Sequence, residues 1–496
     1  MGIVIRQSLK STFVNYIGVI LGIPIQFYVV AKYLEPQVYG LTQVIYQAAV
    51  LFATFALLGS GSSGMRYFPY FRDEKTRDHG FLYYFMMLPA LGCLIFVPLY
   101  IVLKPAIAAY FATKSPEFVD YYYYVIPFIV ILCFWFWTEN YANINMRIAI
   151  PKTVREILMR LLMLGCYLAY GFGYLDVQGL ILSFAASYAI CLLCTGSYAL
   201  KIGSSTTRHR DLSVLTPEVK RDFLNYTFIV LIGSLVNVVY QLDIFMLSGE
   251  KGLYDAGIYS MMIFFANVVN MPARSITAIS APGVADAMKR NDTATASALF
   301  KQVSVHQLMA GAITLLVIWI NLDNIFEIMP NGDKFSAGRY AMLLLGLSQV
   351  VYCTLNFGGS IISYSKYYYW TLFVTVLLIF LTITTNKIFI PMWGLAGAAF
   401  ATLLTNLISY SWQQVIIQFK IHANPFTWSH LRLLLIIGFL YGLNFLIPSF
   451  REVSPWLDIL VRTAAMGLGY VLLLYAFKVS VQVNGIIDYY ILRKGR

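Results

Sequence analysis

Apolar residues arrive in runs of about 20, separated by short polar intervals, along nearly the whole chain. Fourteen such runs centre near residues 21, 48, 92, 129, 165, 188, 235, 263, 312, 350, 379, 405, 438 and 468. Each is long enough, as a helix, to cross a hydrocarbon core about 30 Å thick. Several contain Pro or Gly (Pro24, Pro89, Pro127), which membrane helices accept when neighbours re-satisfy the freed backbone groups. The runs group as six, six and a final pair. The pattern therefore predicts an all-α polytopic membrane protein of about 14 transmembrane helices: two pseudo-symmetric six-helix lobes plus two C-terminal helices. The expected boundaries are 1–203 for the first lobe, 204–221 for a cytoplasmic linker, 222–420 for the second lobe, and 421–496 for the accessory helices and tail. No cleavable signal peptide is expected, because the first run is as long as a span and lacks a small-residue cleavage site.

The second lobe reads as a divergent copy of the first. Phe13-Val14-Asn15-Tyr16 aligns with Phe223-Leu224-Asn225-Tyr226, and Tyr39-Gly40 with Gly257-Ile258-Tyr259. Asp176-Val177-Gln178-Gly179-Leu180 aligns with Pro391-Met392-Trp393-Gly394-Leu395, so the offset stays near 210 to 220 residues. Two similar lobes in a bilayer are the architecture of a carrier with its substrate site where they meet.

Composition agrees with the pattern. Of 496 residues, 59% are hydrophobic and 12% charged, where a soluble domain carries about 25% charged residues. The net charge of +12 is a topology signal. With the N-terminus in the cytoplasm, the basic loops Arg66 to Arg77, Arg147 to Arg155, Lys201 to Arg221 and Arg274 to Lys301 all fall on the cytoplasmic side. Both termini are then cytoplasmic, and the excess charge meets anionic headgroups rather than nucleic acid.

All six cysteines lie inside spans. Cys191-x-x-Cys194 sits in an apolar run and reads as packing. The longest outer loops, 104–118 and 321–338, leave no room for a catalytic domain. No phosphate-binding glycine loop, zinc-spaced cluster or nucleophile elbow appears. The chain is expected to be no enzyme and to hold no metal or cofactor. Uphill movement would draw on a coupling ion, H+ or Na+, or on a process that consumes the product.

Polar residues inside spans carry the functional signal. Asn15, Gly18, Gly22 and Gln26 share one face of the first span; Gln43, Gln47 and Thr54 share one of the second. Ser234, Asn237 and Gln241 do so in the seventh, and Ser260, Asn267, Asn270 and Arg274 in the eighth. Converging stripes from corresponding helices would line a hydrated cavity for a hydroxyl-rich cargo. Similar residues on helix ten (Gln349, Asn356, Ser360) and helix twelve (Thr402, Asn406, Ser409, Gln413) equally suit interhelical hydrogen bonding.

Charges within spans are costly and therefore informative. Glu139 follows Trp135-Phe136-Trp137 at the cytoplasmic end of span four, with Arg147, Lys152 and Arg155 close behind and Arg160 one turn deeper. Asp243, near the outer end of span seven, reads as a proton or sodium site, or equally as a cap on a neighbouring helix or a group reaching the outer interface, and Glu139 is the second candidate for ion coupling. Arg66 and Arg274 end spans two and eight, and Lys366 matches Lys152 in the other lobe. Guanidinium and ammonium groups on this inner rim suit a pyrophosphate.

The run Glu35-Pro36-Gln37-Val38-Tyr39-Gly40-Leu41, the span ending Leu58-Gly59 and the following Arg66-Tyr67-Phe68-Pro69 resemble the polysaccharide exporter family. So do Ala256-Gly257-Ile258-Tyr259-Ser260, Met271-Pro272, Ala281-Pro282, Phe326 to Gly332, and Gly394 to Gly397, in that order over essentially the whole chain. That family of lipid-linked oligosaccharide flippases lies in the multidrug/oligosaccharidyl-lipid/polysaccharide exporter superfamily. The resemblance implies twelve helices plus two, moving undecaprenyl-pyrophosphate-linked repeat units (O-antigen, capsule or exopolysaccharide precursors) across a bacterial inner membrane by alternating access. A glycan polymerase and chain-length machinery are the implied partners. The first span has Asn15 and Gln26 where some relatives carry Arg or Asp, which moves the expected charge contacts to spans two, five and eight. The alternative is a cation-coupled multidrug exporter of the same superfamily, with Asp243 as its acidic site.

Overall fold

The computed structural model describes residues 3–71, 81–203, 221–223, 226–227, 230–231 and 236–490. Residues 204–220 of the expected linker, Ser234 and part of the Phe223–Tyr226 repeat lie outside them, as do the side chains of Asn237 and Gln241.

Ten helices among the described residues are long and apolar enough to cross a membrane. The first unit, Met1–Gly257, contains α1 (3–33), α2 (Pro36–Ala56), α3 (Ser60–Phe71), α4 (Phe81–Val102), α5 (Val125–Ile144), α6 (149–171), α7 (Val177–Ile202) and α8 (Val236–Lys251). α9 (Leu253–Lys289) begins at its end. The second unit, Ile258–Arg496, continues α9 and adds α10 (Thr293–Ile320), α11 (Arg339–Ser363), α12 (Trp370–Ile421), α13 (Trp428–Asn444) and α14 (Pro455–Ala476). The 52 residues of α12 are two helices joined at Gly394, whose φ of 57° and ψ of −125° only glycine adopts without strain. α6 is continuous but changes winding midway, and α13 is 17 residues long. Thirteen of the fourteen apolar runs fall on these helices, with the break in α12 separating runs eleven and twelve; the seventh, centred near 235, lies partly outside the described residues.

Short-range chemistry sets the helix ends. Pro36 opens α2 after an extended Glu35. Asp176 caps α7 by accepting from Gly179 N at 2.7 Å, and Asp292 caps α10 by accepting from Thr295 N at 2.9 Å.

The repeat signature has a packing role. A Cβ on Gly40 would overlap the carbonyl of Leu253, and a Cβ on Gly257 would overlap that of Pro36. The two repeat-related glycines let the first turns of α2 and α9 meet backbone to backbone. α8 is held to the same unit by Ser115 Oγ donating to Ser248 O (2.6 Å) and by Phe111 packing on Phe245.

α5 is the axis of the first unit. Trp137 and Tyr141 face a core of Phe68, Phe81 and Phe85, with Trp137 Nε1 donating to Phe85 O at 3.1 Å. Thr138 donates to Thr195 on α7 at 2.8 Å. In the second unit, Met309, Leu316, Leu433, Leu440 and Met466 form a core tying α13 and α14 to α10.

A cavity in the first unit as candidate functional site

With one face of α5 committed to that core, its other face is free to wall a cavity. Phe136, Glu139, Asn140 and Asn143 recur at i, i+3, i+4 and i+7 and line a space of about 780 Å³. Ligand sites usually span about 300–1,000 Å³. α2 contributes Tyr46, Val50 and Thr54, α6 contributes Arg155, Met159 and Arg160, and Tyr188 closes the side towards α7. Gly59, Ser60, Gly61 and Ser62, where the chain enters α3, complete the lining with Val230.

Winding in α6 decides which of its charges reach the cavity. Arg155 and Arg160 are five residues apart, a spacing that a regular α-helix places about 140° apart. Val154–Leu158 is wound as a π-helix, whose wider turn narrows that angle, and both guanidinium groups line the same space. A second π turn, Ile25–Val30, interrupts α1, and the π segment of α6 packs against α1.

Each arginine has an acidic partner. Arg155 pairs with Glu139, its guanidinium 5.4 Å from the Trp135 ring and 5.7 Å from that of Phe136. Arg160 pairs with Glu156 at 2.7 Å, one turn away. One carboxylate occupies at most two of the five N–H donors of a guanidinium, so donors remain for a ligand. The aromatic wall is continuous: Tyr46 stacks on Tyr188 at 5.6 Å, and Tyr188 meets Trp135 at 5.5 Å.

The sequence candidates distribute as follows. Arg155, Arg160 and Glu139 line the cavity together. Lys152 lies one helical turn from Glu156 on α6, half-buried. Gly18 and Gly22 of the first-span stripe are not in the lining; they give room to the Glu156–Arg160 pair, whose atoms a Cβ at either position would overlap. Asn15 is half-buried on α1, and Gln26 accepts from Tyr39 Oη at 3.1 Å. Gln43 and Gln47 lie outside the lining, and Gln47 Oε1 is buried without a hydrogen-bond partner. Arg66 is exposed, 3.5 Å from Asp222 and stacked 4.3 Å above Tyr226. Asp243 is buried, 6% exposed.

In the second unit, Asn267 accepts from Gln349 at 3.4 Å and Asn270 from Cys353 at 3.2 Å, both between α9 and α11. Asn406 donates to Ser348 at 2.7 Å, and Gln413 to Leu355 O at 3.2 Å, between α12 and α11. Arg274 and Lys366 are exposed, with Lys366 over the Tyr367 ring at 5.2 Å. Sequence reasoning did not single out Tyr46, Tyr188, Asn140, Asn143 or Ser60. The stripe Phe136-Glu139-Asn140-Asn143 was the readable signal, since its spacing puts two amides beside the one acid of that span.

Comparison with solved structures defines the fold first: the chain shares it with a lipid flippase and with multidrug resistance transporters, as the resemblance implied. It is similar to a lipid II flippase MurJ in an inward closed conformation, with a TM-score of 0.72 and 14% identity over 95% of this chain and 98% of that one. It is also similar to an inward-facing multidrug resistance MATE family transporter, with a TM-score of 0.58 and 14% identity over 81% and 95%. A superfamily transporter from Pyrococcus furiosus, described as having a binding pocket of reversed polarity, matches with a TM-score of 0.57 and 13% identity over 85% and 95%. No family model and no curated protein sequence matches the chain.

Proposed function

We propose that this multi-pass membrane protein flips a polyprenyl-pyrophosphate-linked oligosaccharide from the inner to the outer leaflet of a bacterial cytoplasmic membrane, by alternating access. The observation that carries this reading is the cavity in which Arg155 and Arg160 stand beside Asn140, Asn143, Tyr46, Tyr188 and Trp135. Guanidinium forks match phosphate oxygens in pairs. Amides and hydroxyls suit sugar hydroxyls, and aromatic faces suit the apolar faces of sugar rings. The similarity to a lipid II flippase supports a lipid-linked cargo whose tail stays in the bilayer. Cytoplasmic termini and a glycan polymerase as downstream partner belong to the same reading.

The test is translocation in proteoliposomes of a labelled polyprenyl-pyrophosphate oligosaccharide, read by an external glycosidase. Acceleration over protein-free vesicles, lowered about tenfold or more by Arg155→Gln, is expected. One observation favours the drug-exporter reading: the Glu139 carboxylate stands near aromatic rings that attract cations. No acceleration with several glycans, together with H+- or Na+-driven efflux of a cationic dye that Glu139→Gln or Asp243→Asn abolishes, would replace the flippase with that exporter.

A further inference from the structure

The second span is not one helix. Between α2 and α3 the chain makes a turn at Leu57–Gly59, with Leu58 at φ 47° and Gly59 at φ 67°. A leucine in the left-handed region is strained, and such strain persists where the surrounding structure requires a particular geometry. The turn ends one helix and starts another inside a 33-residue apolar segment, Pro36–Phe68. What it presents is a new helix N-terminus in the sequence Gly59-Ser60-Gly61-Ser62-Ser63-Gly64.

That N-terminus opens on the cavity. Ser60 N donates to Leu57 O at 2.9 Å and Ser63 N to Gly59 O at 3.2 Å. The amides of Gly61 and Ser62, between them, are first-turn donors that no preceding helical turn satisfies. A helix start carries a partial positive charge of about half a unit and is a natural seat for an anion.

Two further observations point to a ligand rich in acceptors. Ser60 lines the cavity fully buried, and its hydroxyl has no hydrogen-bond partner. Trp135 lines it 3% exposed, and its indole N–H, a pure donor, also has none. Ser63, one turn further on, shows what a satisfied serine looks like here: it shares a hydrogen bond of 2.9 Å with Thr227. Buried donors without partners are uncommon in folded proteins and ask for an explanation. Arg155 and Arg160 stand in the lining of the same cavity, each keeping donors beyond those its carboxylate takes.

We propose that the first turn of α3, with Ser60 and the amides of Gly61 and Ser62, is the seat of a pyrophosphate ester, Arg155 and Arg160 gripping its remaining oxygens. This rests on the flippase reading and assigns the headgroup a place within it. Glycine at 61 leaves room for the Asn140 amide, which would stand 3.0 Å from a Cβ there and would have to shift.

Hydrogen exchange of the full-length protein in nanodiscs tests the seat directly. Inorganic pyrophosphate, a polyprenyl pyrophosphate and phosphatidylglycerol are the three probes. Exchange in residues 59–63 is expected to slow about tenfold or more with the first two and to be unchanged with the third. Ser60→Ala is expected to weaken inorganic pyrophosphate about tenfold and to keep the melting temperature, and Trp135→Phe to weaken it less. Pyrophosphate binding that Arg155→Gln abolishes, but that leaves residues 59–63 unprotected and is indifferent to Ser60→Ala, overturns the seat and leaves the flippase reading standing. Protection by phosphatidylglycerol alone makes it a headgroup site for bulk lipid and overturns the proposal. If no probe protects the segment and no lipid-linked glycan is translocated, the flippase reading itself fails.

Discussion

Arg155 illustrates how one side chain serves two ends. Its charge is available to a ligand because Glu139 keeps it in place, and Glu139 tolerates burial because Arg155 answers it. Removing one partner leaves the other exposed to the cost of an unpaired charge in a low-dielectric site, whereas removing both does not. Arg155→Gln is therefore expected to lower transport, and the double change with Glu139→Gln to recover melting temperature without recovering transport; melting curves and vesicle assays on the three variants check this. A structural counterpart lies in the second unit. Asp458, 2% exposed, accepts from Arg462 (2.7 Å), Asn324 (2.6 Å) and Phe450 N (2.8 Å). Arg462→Leu is expected to destabilise the protein by about 3 kcal/mol or more, read as a large fall in melting temperature.

Among the elements, windings and ends matter more than propensity. The π turn of α6 brings Arg155 and Arg160 to one cavity, and the break between α2 and α3 creates a helix start that an unbroken span would lack. Gly40→Ala is expected to cost about 3 kcal/mol, because the new methyl meets the Leu253 carbonyl, which cannot move aside as a side chain can. Gly165→Ala is the control: nothing stands within 4 Å of its would-be Cβ, and stability should hold or rise slightly. Asp292, on the loop into α10, has its carboxyl held below the usual carboxylate range by the bonds from Thr295. A lowered folded-state value means that the cap stabilises above the unfolded value near 3.9 and is lost as pH falls through the folded one. Asp292→Ala should thus lower the melting temperature at pH 7 and have no effect in strong acid.

For the molecule as a whole, the cargo is expected to stabilise the protein by mass action. A lipid-linked glycan at about 100 times its Kd adds about 2.7 kcal/mol, so the melting temperature in nanodiscs should rise with that ligand and stay put with a cationic dye. The opposite pattern would favour the exporter reading. The organisation on which this rests was mostly legible in the chain. Spans were readable because a backbone in lipid must satisfy its own hydrogen bonds, which leaves the helix as the local solution and run length as its signature. The close approach of α2 and α9 rests on Gly40 and Gly257, because two backbones cannot come so near around any other residue.

The site was legible only in part. Sequence alone determined the fourteen apolar runs and named Glu139, Arg155 and Arg160 among its ionisable candidates, since run length is set by local composition and a charge in lipid is costly. Which neighbours join them was decided by tertiary structure. Helical phase put Gln43, Gln47 and Thr54 on one face of α2; of these Thr54 lines the cavity, where its neighbours on α2 are Tyr46 and Val50 rather than Gln43 and Gln47. Gly18 and Gly22, read as a cavity stripe, make room for the Glu156–Arg160 pair. A π turn and a strained Leu58–Gly59 break shift register in ways that no hydropathy pattern records, because they arise from packing between helices rather than from the preference of any one of them for lipid.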